Sequence, residues 1–262
     1  MGPDPTLVQP AHDDLPEAVQ SAIADIALRH RAAGGVLMRL VNAAGGKIEN
    51  RLEMLPDAVK LRIEAAATAA LQLAYGIAGQ SHRSDDRLSS DRGHLALATL
   101  TGAAGGFGGL ATALAELPVT TTVIFRAIQS IAAGHGFDPA DPLVRAECLQ
   151  VFAAGSPLHD DDGVNTTFLA ARVTVTGPAI QRLIAGIAPR FAALLGQKLA
   201  TQAVPVLGAL TGAGINYAFM DYFQDMAHVR FALMRLSQTH DPAVIRSAFG
   251  EAVAQARIGA EP

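Results

Sequence analysis

The amino-acid sequence predicts an all-α protein that folds as a single multi-helix bundle around two central, glycine-rich apolar helices. Apolar residues recur at helical spacing along most of the chain, and no series of short alternating segments indicates a β-sheet. Two segments, residues 95–115 and 199–220, contain no charged residue and several glycines each. Of the 262 residues, 50% are hydrophobic and only 17% are charged, so the chain either buries an unusually large part of itself or contacts lipid.

The N-terminal part of the chain predicts a tail followed by a helical domain. Three prolines within residues 1–13 predict a disordered tail, and one helical domain is expected over residues 14–258. Apolar residues at Val19, Ile23 and Ile26 favour a first helix at the start of this domain.

A longer second helix is predicted over residues 57–78. Its apolar positions are Val59, Leu61, Ile63, Leu71, Leu73 and Ile77. Polar and turn-forming residues over 80–92 then predict a loop.

Each charge-free run ends at an acidic residue that is followed by a helical pattern. The first run ends at Glu116, and Pro118 predicts the first turn of a new helix that includes residues 119–135. The second run ends at Asp221, which begins an amphipathic pattern over residues 221–236.

Three aspartate–proline pairs predict further helix starts, because aspartate is a favourable N-cap and proline suits the first turn. Asp138-Pro139 and Asp141-Pro142 are two alternative starts for a short helix ending at Phe152, and Asp241-Pro242 precedes a last helix ending near residue 257.

The segment between these starts, residues 168–199, predicts a helix that is broken near Gly177-Pro178 and again at Pro189. The β-branched residues 173–176 would also suit a strand, but a lone strand without partners is disfavoured.

Six glycines of the two runs are predicted to contact lipid, an apolar ligand or a neighbouring helix. Pairs of them are four residues apart, which places them on one helix face and lets two backbones approach closely. They are Gly102, Gly105, Gly106, Gly109, Gly208 and Gly212. Three interpretations stay open: a buried helical hairpin, an element that inserts into a bilayer on demand, and a permanent membrane span, which the glycine content favours least.

Candidate catalytic residues lie at the ends of the runs. Asp221, Asp225 and His228 are spaced i, i+4 and i+7 and therefore share one helix face, and Glu116 is the fourth candidate. The Asp225-x-x-His228 spacing resembles that of helical metal sites, for which Glu116 and Glu147 are further candidate ligands. The favoured alternative is that these side chains cap helices, face water or form salt bridges.

Other function classes are disfavoured by the composition. A net charge of −4 gives no basic surface for nucleic acid, and no cofactor-binding motif occurs, so no cofactor is predicted. The single cysteine, Cys148, excludes an intrachain disulfide and lies in an apolar segment typical of a helix core. The acidic segment 159–162 is interpreted as a solvated turn rather than a cation site.

Residues 105–156 and 197–236 together resemble the EcsC family of bacterial proteins. The most specific segments are Glu116-Leu117-Pro118, Arg126-Ala127-Ile128-Gln129, Val151-Phe152, Val204-Pro205 and Asn216. The resemblance covers roughly residues 15–240 and carries over no catalytic residue, because no activity is assigned to the family. The family takes its name from a protein encoded beside the subunits of an ABC exporter, which implies a role at the cytoplasmic face of a membrane.

Three functions are therefore weighed. The first is a membrane-associated accessory protein, located in the cytoplasm and peripheral to the inner membrane, whose partner is a lipid or a membrane protein. The second is a soluble helical protein that binds lipid or another apolar ligand. The third is an enzyme that uses the carboxylate and histidine residues, with or without a metal, although the sequence favours a non-enzymatic role. A homo-oligomer is compatible with each.

Overall fold

The computed structural model describes residues 15–33, 57–78, 109–153, 177–202 and 208–258, and these residues form seven helices without any strand. The all-α bundle predicted from the sequence is therefore confirmed. The helices are α1 (Glu17–Ala32), α2 (Asp57–Ala78), α3 (Gly109–Gly134), α4 (Pro142–Val151), α5 (Gly177–Gln202), α6 (Gly208–Leu236) and α7 (Pro242–Ile258). The predicted tail, the loop at 80–92, the strand alternative at 173–176 and the acidic segment 159–162 lie outside the described residues.

Of the two alternative starts predicted for the short helix, the structure uses Asp141-Pro142 and not Asp138-Pro139, and the start at Asp241-Pro242 is confirmed. Asp141 caps α4, because its carboxylate accepts a hydrogen bond of 2.7 Å from the backbone N–H of Leu143. Asp241 does the same for α7 by accepting from the N–H of Ala243 at 2.7 Å. In both helices the proline stands at the first helical position, where its missing N–H costs nothing.

The predicted boundaries at Pro118, Pro189 and Asp221 are wrong, because a continuous helix passes through each of these residues. A proline inside a helix removes one backbone hydrogen bond, so packing on either side must offset the cost. Buried neighbours provide that packing, with Leu117 and Thr121 beside Pro118. Ile187, Ala188 and Phe191 have the same role beside Pro189.

Helix α6 is the centre of the bundle, and it contacts α1, α3, α4, α5 and α7. Its residues from 218 onward are buried on nearly all sides, as expected for a central helix. Around it, α1 packs mainly on α7, and α2 packs mainly on α3 and α5.

Gly136 ends helix α3 in a Schellman motif. It adopts a φ of 86°, a left-handed conformation that glycine tolerates best. The N–H groups of Gly136 and Phe137 donate to carbonyls of the last turn at 2.9 and 3.0 Å, and the Phe137 ring packs against Phe231 at a centroid distance of 5.5 Å. This turn fixes His135 at the end of α3, facing α6.

Candidate functional site

Asp221, Asp225 and His228 lie within one continuous helix, α6, as their spacing predicted, at its junction with α1 and α3. Asp225 accepts a hydrogen bond of 2.9 Å from the Nε of Arg29 in α1, which makes a salt bridge between the two helices. The side chains of this bridge are 47% and 22% exposed, so solvent screens it and its contribution to stability is small.

His228 contacts a second histidine, His135, at the end of α3. Their Nδ1 and Nε2 atoms are 3.1 Å apart, so one ring donates and the other accepts a hydrogen bond. Burial lowers the pKa of His135 below its ordinary value of 6.5, and the nearby His228, Arg235 and Arg29 lower this pKa further. No local sequence pattern predicts this histidine pair, because the two residues are 93 positions apart.

The pKa of Asp221 is shifted in the opposite direction to that of His135. Burial raises the pKa of its carboxyl group above the ordinary value of 3.8, and the neighbouring Asp225 raises it further, while Arg29 acts in the other direction. The three predicted residues therefore form a half-buried ionisable cluster with Arg29 and His135.

The further ligands that a metal site at this cluster would need are not found beside it in the described residues. Among the residues that the structure describes, no three histidine, cysteine, aspartate or glutamate side chains are placed to hold a metal ion. Glu147, a suggested further ligand, instead binds Arg230, and the side chain of Glu116 lies outside the described part of the chain. A role for Glu116 in catalysis or metal binding stays a prediction.

Acidification is expected to lower the free energy of unfolding through the buried histidines. Burial also lowers the pKa of His30, whose ring meets Phe249 of α7 edge-on at 5.6 Å. The folded protein binds protons at these two histidines less tightly than the unfolded chain does. The contribution of the two neutral histidines to the free energy of unfolding is therefore complete above about pH 6.5 and is lost as the pH falls. Urea denaturation at pH 7.5 and 5.5 measures the effect.

A variant carrying His30→Gln and His135→Gln should lose part of this pH dependence. The raised pKa of the Asp221 carboxyl group acts in the opposite direction, because it adds stability as the pH falls. The variant Asp221→Asn removes this carboxyl group and is the control for its contribution. An identical change in stability between the two pH values, with and without the histidines, would contradict the assignment.

Glu147 and Arg230 form a buried ion pair between α4 and α6. Their residues are 7% and 2% exposed, and the Nε of Arg230 donates to the Glu147 carboxylate at 2.8 Å. A second guanidinium nitrogen donates to the same oxygen. Cys148 beside this pair is fully buried, and burial raises the pKa of its thiol, so it is a core cysteine as predicted.

A second surface of interest lies on α2 and α5, and we call it the α2–α5 face. It comprises the exposed apolar or small residues of the outer sides of the two helices. On α2 these are Ala58, Leu61, Ala65, Ala69, Leu73 and Gly76, and on α5 they are Ala185, Gly186, Pro189 and Ala193. A hydrogen bond of 3.2 Å between the exposed side chains of Gln72 and Gln181 shows that the two outer sides adjoin.

Among the described residues, no side chain covers this face at its two helical glycines. A methyl group built on Gly76 or Gly186 would meet no atom within 4 Å. Leu61 and Leu73 are 66% and 45% exposed. Of the helices described, none is both long enough and apolar enough to span a bilayer.

A family model described as the EcsC protein family matches residues 41–236. The chain belongs to the EcsC family. No match was found among the curated proteins or among the solved structures. The resemblance seen in the sequence is thereby confirmed, over a range that is narrower than residues 15–240.

The EcsC match places helices α2 to α6 inside the family segment and leaves α1 and α7 outside it. The salt bridge from Arg29 to Asp225 therefore connects a flanking helix to the EcsC segment. Phe152, one of the residues that carried the resemblance, is buried in the hydrophobic core, which indicates a packing role, and Asn216 is a buried polar residue.

The predicted glycine contacts of this EcsC protein lie mostly beyond what the structure describes. Gly102, Gly105 and Gly106 fall outside the described residues. Gly109 and Gly208 begin α3 and α6, and Gly212 follows in the second turn of α6, where only the backbone is described. Their contact with lipid or with another helix stays a prediction.

Proposed function

We propose that the protein is a peripheral membrane protein that lies on a bilayer through its α2–α5 face, as an accessory protein at the cytoplasmic side. The observation that carries the proposal is the alignment of exposed apolar residues along one side of α2. Counted at 100° per residue, Leu61, Ala65, Ala69, Leu73 and Gly76 fall within about one third of the helix circumference, together with the exposed polar side chains of Arg62 and Gln72. A contiguous apolar patch of this kind typically marks a protein or membrane contact, whereas scattered single leucines do not.

The shape of the face supports a bilayer surface as its partner. Most of its side chains are alanine or glycine, so the two helices can lie flat at the level of the headgroups while Leu61 and Leu73 reach the acyl boundary. The exposed carboxylates of α2, Asp57 and Glu64, lie at one edge of the apolar arc rather than within it.

Replacing both Leu61 and Leu73 by aspartate is expected to weaken sedimentation with phosphatidylcholine vesicles by about tenfold or more, because each leucine inserted into an apolar phase contributes roughly 1.5–3 kcal/mol. The matched control replaces Leu28 and Leu143 by aspartate. These leucines are 57% and 44% exposed and belong to α1 and α4, so this control should bind as the wild type does.

A fluorescent reporter tests the same face directly. The chain contains no tryptophan, so a Gly186→Trp variant carries a single indole in an open position of the face. Its emission should shift to shorter wavelength when vesicles are added. Gly250→Trp on α7, which is equally open, should show no shift. A folded protein that ignores vesicles, or equal behaviour of the two tryptophan variants, would overturn the proposal.

A further inference from the structure

We infer that the α2–α5 face recognises anionic phospholipids through Arg182 and Arg190 of α5. This inference rests on the proposed function and names the class of lipid that the same face would bind. It starts from the distribution of charge along the chain. The protein has a net charge of −4, yet the 26 residues of α5 include Arg182, Arg190 and Lys198 and no acidic residue.

Both arginines lie on the outer side of α5 among the small residues of the face. The helix spacing separates the two side chains by about 80° around the axis, and Gly186 and Ala193 lie between them in the exposed arc. The Nε of Arg182 makes a long hydrogen bond of 3.4 Å back to the carbonyl of Pro178. Within the described residues neither guanidinium forms an ion pair. Both positive charges are therefore available to a ligand that binds at the α2–α5 face.

The charges of α2 differ from those of α5. Lys60 lies 3.5 Å from Asp57, whereas Glu64 lies about 160° around the helix from Arg62. Arg62 therefore adds one cation to the exposed arc of α2, and Arg182 and Arg190 add two on α5. The apolar contacts of the face come mainly from α2 and its charge mainly from α5, so the two contributions can be tested separately.

On α5 the small residues of the face are flanked only by cations, which is the usual composition of helices that lie in the interface of an anionic bilayer. The long aliphatic stem of arginine follows the apolar surface, and its guanidinium donates paired hydrogen bonds to phosphate oxygens. Zwitterionic and anionic phospholipids both carry that phosphate, but only an anionic headgroup leaves its negative charge without a cation of its own, so the two arginines favour anionic lipid.

The test compares vesicles of phosphatidylcholine with vesicles of equal parts phosphatidylcholine and phosphatidylglycerol. The wild type should bind the anionic vesicles more tightly, and high salt should remove the difference. The variant Arg182→Gln/Arg190→Gln should lose about fivefold in affinity for anionic vesicles per arginine removed and keep its affinity for neutral ones.

The matched control is Arg235→Gln/Arg246→Gln, which removes the same charge from α6 and α7 and should retain the anionic preference. Binding to neutral vesicles without any gain from phosphatidylglycerol would overturn this inference and leave the proposed function intact. Binding to neither vesicle would overturn both. Equal losses in the two arginine variants would also overturn the inference.

Discussion

Arg230→Met is expected to destabilise the protein by about 3–5 kcal/mol, the typical cost of leaving one partner of a buried ion pair without the other. Arg230 is the largest of the fully buried side chains, and its guanidinium is in contact with Glu147. Methionine would fill much of the volume, so most of the loss comes from the carboxylate that remains buried without its cation. Urea denaturation monitored by circular dichroism measures the difference.

The double variant Glu147→Leu/Arg230→Met should regain much of that stability, because a well-packed apolar pair often replaces a buried ion pair at little cost. Arg235→Met on the exposed side of the same helix is the control and should change stability by less than about 0.5 kcal/mol. If the loss of stability in the double variant equals the sum of the losses in Glu147→Leu and Arg230→Met, the unpaired charge is not the cause of the destabilisation.

The ion pair also explains how the short helix α4 is held. Glu147 connects it to α6, and Arg145 donates a hydrogen bond to the backbone carbonyl of Tyr75 in α2. The Arg145 guanidinium in addition lies 4.2 Å from the centre of the Tyr75 ring. A helix of 10 residues has little stability of its own, so these contacts and the apolar core define its position.

The sequence predicted the helix starts at Asp141 and Asp241 because capping is a local property, set by the cap residue and its near neighbours. The helix boundaries predicted at Pro118 and Pro189 are wrong because the contacts that compensate for each proline are not local. The cost of a proline within a helix is also local, but the burial of Leu117 and Phe191 that offsets it depends on contacts with distant helices.

Helix α2 shows why an apolar pattern alone did not identify its buried side. Ile63 and Leu71 of the predicted pattern are buried, but Leu61 and Leu73 are exposed. The buried side is completed by the fully buried alanines Ala67, Ala70 and Ala74, which let α2 pack closely on its neighbours. The α2–α5 face was therefore not visible as a surface in the sequence.

The candidate site was predictable only within one helix. Helical spacing placed Asp221, Asp225 and His228 together, because i, i+4 and i+7 share a face. Their partners Arg29 and His135 come from α1 and α3, and nothing in the local sequence specifies pairings over such separations.

Phe152→Ala is expected to destabilise the protein by about 3–5 kcal/mol, as is typical when a large aromatic side chain is removed from a core. Phe152 caps the C-terminus of α4, and its ring centre is 6.3 Å from Phe125, 5.2 Å from Phe191 and 5.0 Å from Phe223. These three rings belong to α3, α5 and α6, so one side chain connects four helices. Its removal leaves a cavity that none of the four helices can close without shifting against the others.

The matched control is Tyr217→Ala, which removes an aromatic side chain of α6 that is 41% exposed and should cost less than about 0.5 kcal/mol. Phe152→Leu should give an intermediate loss, because leucine keeps part of the volume but forfeits the ring contacts, each of which contributes about 0.5–1.5 kcal/mol beyond area burial. Urea denaturation of the three variants under one condition provides the ranking. A loss for Phe152→Ala as small as that for Tyr217→Ala would show that the meeting of the four helices does not depend on this ring.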